Sequence, residues 1–126
     1  MFEKHSFTKK QIDTFIKSAE RNLNIAKKNK EAEVVFLFSY NSLIKIAIAI
    51  CASEGFRVKS KQGHHIGLLN KLAELLEDED VELIGNEMRM RRNRDFYDGN
   101  IVISEKEARE YLNWVSEVFE DAKRKI

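Results

Sequence analysis

Val34-Val35-Phe36-Leu37-Phe38-Ser39-Tyr40-Asn41-Ser42-Leu43-Ile44-Lys45-Ile46-Ala47-Ile48-Ala49-Ile50-Cys51-Ala52 decides how the rest of the chain is read. Its β-branched content would suit a strand, but a run of this length far exceeds the usual strand of about five or six residues. It would also be long enough to cross a bilayer. Ser39, Tyr40, Asn41, Ser42 and Lys45 stand near its middle, however, and a lone span would bury the lysine at a cost of roughly 2.5–3.5 kcal/mol. The stretch therefore predicts a core helix from about Glu31 to Ser53, apolar nearly all round and enclosed on several sides. A second subunit is expected to cover one of those sides.

On the N-terminal side, Thr8 and Gln11 have the spacing of a capping box. Ile12, Phe15, Ile16, Ala19, Leu23 and Ala26 follow at steps of three and four, predicting a helix to about Lys30. On the other side, Gly55 is a candidate cap, because the residue just past a helix end often needs positive φ. Phe56 to His64 reads as a basic loop with Arg57, Lys59 and Lys61. Ile66, Leu68, Leu69, Leu72, Leu75 and Leu76 predict a short third helix. The acidic run Glu77 to Asp80 then places negative charge at the start of a fourth, where the helix dipole favours it. Val81, Leu83, Ile84 and Met88 are its expected apolar face. After a turn at Asp98-Gly99, Ser104 and Glu107 form a second capping box. The last helix carries the stripe Ala108, Tyr111, Leu112, Val115, Val118, Phe119 and Ala122.

The fold class expected is thus all-α, an up-and-down bundle of four to five helices, because short connections leave consecutive helices antiparallel. At 126 residues the whole chain, 1–126, is read as one domain. Lys plus Arg total 22 and Asp plus Glu 21, a balance that does not by itself indicate a nucleic-acid or membrane-surface protein. Charge is nevertheless polarised: residues 1–63 carry 12 basic and 6 acidic side chains, residues 64–126 carry 10 and 15. The single Cys51 excludes an internal disulfide and a multi-thiolate zinc site. With no apolar run behind Met1, the cytoplasm is the expected compartment and no membrane association is expected.

Chemistry concentrates in Met88-Arg89-Met90-Arg91-Arg92-Asn93-Arg94-Asp95-Phe96-Tyr97-Asp98-Gly99, with four arginines in six residues. Guanidinium forks match phosphate oxygens, so this helix end is a candidate for binding a nucleotide or an RNA backbone. Arg91 and Asp95 lie one turn apart, where a carboxylate can hold a guanidinium in one direction. The alternative is a solvated face with local ion pairs. His64 and His65 open the third helix beside Lys59 and Lys61, and adjacent helical positions point about 100° apart, so at most one would face a shared site. They lack a third metal ligand at a recognisable spacing, and neither a metal nor another cofactor is expected. Tyr40 and Asn41, if buried, need partners that the arginine helix could supply. Cys51, Tyr111 and Trp114 read as structural.

Five helices with an Arg-polar-x-x-x-His signature before the last helix is the layout of the HEPN superfamily, and this sequence resembles a small prokaryotic member. Arg92 falls on the motif arginine, Asn93 on its polar neighbour and Tyr97 on the motif histidine; a register shifted by one pairs Arg91 with Phe96. The resemblance implies a homodimer that cleaves RNA without metal, or a domain partnering a minimal nucleotidyltransferase in a toxin–antitoxin pair. Tyr97 argues against cleavage: a tyrosine near pKa 10 is a poor general base at neutrality, whereas a histidine near 6.5 is a good one. A phenol can still hydrogen-bond a phosphate or stack on a base. The reading that follows is a non-catalytic domain binding nucleotide, RNA or a nucleotidyltransferase partner through Arg92, Asn93, Tyr97, Arg91 and Asp95. The alternatives are a ribonuclease toxin using Tyr97 or His64/His65, and a helical interaction module.

Overall fold

The computed structural model describes residues 2–59, 64–99 and 102–126, and for positions 95–98 the backbone alone. Among the described residues the chain forms β1 (Phe2–Lys4), α1 (Lys9–Lys28), α2 (Ala32–Ser53), β2 (Phe56–Val58), α3 (His64–Leu76), α4 (Glu79–Asp98) and α5 (Glu105–Lys125). The all-α reading holds, and both capping boxes form. Thr8 Oγ1 accepts from the Gln11 amide while Gln11 Oε1 accepts from the Thr8 amide. Ser104 and Glu107 do the same at α5. Each reciprocal pair satisfies two of the amide donors that a helix start leaves open.

α2 is the axis of the bundle, packing against α1, α3, α4, α5 and β2. It is long and apolar enough to cross a membrane, yet two thirds of its apolar window is buried by the other helices. Phe36, Tyr40, Leu43, Ile46 and Ile50 are its largest enclosed side chains. Its hydroxyls are satisfied internally: Ser39 donates to the Val35 carbonyl and Ser42 reaches across to the Ala19 carbonyl of α1 at 2.8 Å. Lys45, the residue that argued against a membrane span, donates to Ser18 Oγ at 2.7 Å. Its stem can lie along the helix pair while the ammonium keeps a polar partner. Gly55 closes α2 at φ +82°, a conformation that costs a side-chain-bearing residue and not glycine.

Two readings are corrected. Phe56–Val58 is not loop but a strand paired antiparallel with Phe2–Lys4, in the register Phe2–Val58, Glu3–Arg57, Lys4–Phe56. Phe56 and Val58 alternate with Arg57 and turn toward the core, and Glu3 pairs with Arg57 on the outer side. A run of three residues is too short to announce a period in the sequence. Lys61 of the expected basic loop lies outside the described residues. Leu83, placed on the apolar face of α4, is instead 68% exposed. The buried stripe of that helix runs through Val81, Gly85 and Met88 at steps of four and three. Gly85, with no hydrophobic side chain to count, hid it.

Candidate functional site

The stripe Val81, Gly85, Met88 continues one further step of four to Arg92. The arginine that resembles the motif residue thus lies on the inward side of α4, at the end of the core, half-buried. Facing it are Tyr40 of α2 and His65 of α3. The Tyr40 ring is buried, and its hydroxyl lies 2.8 Å from His65 Nδ1. Burial pushes the Tyr40 phenol up to about 12 against the opposing pull of the Arg92 and Arg89 guanidiniums, so it stays protonated. Burial, then the neighbouring charges of His64, Arg92 and Arg89, push His65 down from 6.5 to about 4. His64 packs edge-on against His65 with ring centroids 4.5 Å apart. The result is a neutral Tyr–His pair with two guanidiniums and a second imidazole around it.

Asn93 accepts a long 3.4 Å bond from Arg92 Nη1, and Asn86 accepts one of 3.3 Å from Arg89 Nε. Both are at the long end of the hydrogen-bond range. Arg91 is turned elsewhere. It donates to Glu107 at 3.0 Å, to the Tyr111 hydroxyl at 3.1 Å and to the Val102 carbonyl at 2.9 Å, bracing α4 against the start of α5. The Glu107 carboxylate holds the Arg91 charge in place and is itself lowered by it. Tyr111 also donates to Glu87. Among the described residues Arg91 is therefore a brace, with Glu107 as its carboxylate partner. The side chains of Asp95 and Tyr97 lie outside the described residues.

Sequence reasoning found Arg92 and Asn93 and offered the arginine helix as a partner for Tyr40, but did not bring His65 to them. A signal existed: His65 heads the stripe Leu68, Leu69, Leu72 of α3 at steps of three and four, which marks it as inward-facing. Of the adjacent pair, it is His65 that faces Tyr40. Of the two polar residues that would need partners if buried, Tyr40 is buried and Asn41 is exposed. Cys51 is a buried core residue whose thiol is pushed up to about 11 by burial, which leaves it unreactive. Among the described residues no three His, Cys, Asp or Glu side chains converge as metal ligands.

The His65 environment has a measurable consequence. Its folded pKa lies below the unfolded value, so the unfolded chain takes up the proton first. The stability this site contributes is complete above about pH 6.5 and is lost as pH falls toward 4. With solvent screening of a half-exposed ring, the loss is about 1–2 kcal/mol. Urea unfolding of the parent between pH 7.5 and 5 should show this slope, and His65→Gln should flatten it. Parallel slopes for the two proteins would refute the environment described.

Compared with known proteins, the chain finds no match among curated sequences or solved structures. A family comparison does find one: the profile described as HEPN domain matches residues 12–125, from the first turns of α1 to the last residue of α5. That span takes in every element that builds the cluster, and this chain belongs to the HEPN family.

Proposed function

We propose that this HEPN domain binds the phosphates of RNA or a nucleotide at the Arg92 cluster, without cleaving. The observation that supports it most is the placement of Arg92 and Arg89 around Tyr40 and His65, a pair of polar side chains that carry no charge at neutrality. Two guanidiniums gathered at one end of the core favour an anion, and their forked donors suit phosphate oxygens. Asn93 adds an amide at the same helix turn. His65, with a pKa near 4 and one ring nitrogen tied to Tyr40, is a weak base at pH 7, so binding is better served here than proton abstraction. The position of the motif histidine is held by Tyr97.

The test is fluorescence polarisation with a labelled single-stranded RNA and with a labelled ribonucleotide. Arg92→Ala should weaken binding at least about tenfold, which corresponds to about 1.4 kcal/mol, and should lower the salt dependence. Arg124→Ala, at the far end of α5, should leave it unchanged. Equal retention by the Arg92 variant would remove the site. Loss of every ribonucleotide probe, with capture of a nucleotidyltransferase through the same arginines, would move the assignment to a protein-interaction role.

One observation favours a second reading. His64 packs against His65, whose ring feels the Arg92 and Arg89 guanidiniums, so α3 brings imidazoles toward the motif arginine from a different part of the chain. Metal-independent RNA cleavage that is lost in His64→Ala would identify a ribonuclease whose base has moved from α4 to α3.

A further inference from the structure

We infer that the cleft between the α1–α2 connection and the start of α5 is a second phosphate site, which holds a further phosphate of the same RNA strand; this rests on the phosphate-binding role given to Arg92. The cleft has a volume of about 380 Å³ and is lined by Lys30, Lys106 and Arg109, with Glu105 as the one carboxylate among its lining residues. Arg109 is half-buried and donates to the Asn29 carbonyl, eighty positions away, at 2.6 Å. That bond holds the guanidinium in place and leaves most of its donors open. Among the described residues none of the three cations makes an ion pair, with Glu105 or with any other carboxylate. Like charges gathered round one hollow repel each other, and an anion between them relieves the repulsion. Val35 and Ala108, both buried, give the cleft an apolar wall on which a ribose or a base can lie.

A strand, and not a mononucleotide, follows from the spacing of the two sites. α2 carries Ala32 and Val35 at the cleft and Tyr40 beside Arg92, and at the helical rise these positions lie about 8–12 Å apart along its axis. One phosphate group cannot touch both, whereas a strand presents a charge at every nucleotide. The sites also adjoin across the bundle. Arg91, next to Arg92, donates to Glu107, next to Lys106, so the brace between α4 and α5 stands between the two sites. Glu107 is neutralised by that bond, which leaves the cations on either side of the brace to set the local potential.

Fluorescence polarisation of the full chain tests this with a labelled single-stranded RNA of about eight nucleotides and a labelled ribonucleotide. The double variant Lys30→Ala/Lys106→Ala removes two exposed lysines and should keep the parental thermal melt. It should bind the RNA at least about tenfold more weakly, with a salt dependence smaller by about one phosphate contact, and bind the ribonucleotide like the parent. Lys9→Ala/Lys10→Ala makes the same charge change at the opposite end of α1, about 30 Å away, and should leave both probes unaffected. Parental RNA affinity in the cleft variant, beside a loss in Arg92→Ala, would overturn the cleft and leave the Arg92 site standing. Equal losses in the two lysine pairs would reduce the effect to net charge and also overturn the cleft. Weakened ribonucleotide binding in the cleft variant would overturn the division into two sites, and a parent that binds neither probe would overturn both sites together.

Discussion

Phe36→Ala is expected to lower the unfolding free energy by about 3–5 kcal/mol, the range for deleting an aromatic ring from an enclosed core. Phe36 has no exposed surface, and its ring meets Tyr111 edge-on with centroids 5.5 Å apart. Removing it leaves a void among α2 and α5 that neighbouring rings cannot fill without leaving their rotamers, because the interior is close-packed. Tyr111 also receives Arg91 and donates to Glu87, so the void loosens the brace between α4 and α5 as well as the core. Urea unfolding at pH 7 checks it. A loss below about 1 kcal/mol would mean that this site collapses freely and that the packing described is wrong.

Gly85→Leu should cost about 1–3 kcal/mol through overpacking. A Cβ built on Gly85 lies 2.9 Å from Leu69 Cδ2 and 3.6 Å from Leu43 Cδ2. Alanine asks only that the end of the Leu69 side chain yield, and it gains helix propensity, so Gly85→Ala should stay within about 1 kcal/mol of the parent. Leucine adds a branched side chain where both neighbours are fully buried, and α4 has to lift from α3. Because Arg92 lies two turns along the same stripe, the leucine variant should also bind RNA more weakly than the alanine variant. Melting curves and polarisation on the two proteins together decide it. A leucine variant as stable as the parent would show that α4 is not seated as described.

Much of this fold could be read from the chain because its signals are local. A nineteen-residue, mostly apolar run, two capping boxes and a stripe at steps of three and four each act within a few turns, and α1, α2 and α5 form where those signals place them. The ribbon of β1 and β2 could not be read, since pairing residues more than fifty positions apart leaves no mark on either three-residue segment. The site was half legible for the same reason. Arg92 and Asn93 stand out by composition, but the meeting of Tyr40 with His65 depends on how α3 docks against α2. Arg91 is a further case: its bond to Glu107 runs from α4 to α5, and no local pattern announces it.

The ribbon also ties two parts of the bundle together. Phe2–Lys4 is stitched to Phe56–Val58, and the Lys71 ammonium of α3 lies 5.2 Å from the centre of the Phe56 ring. The segment ahead of α1 is therefore fastened, through β2, to the helix that carries His65, so the two share one anchorage beside the core helix.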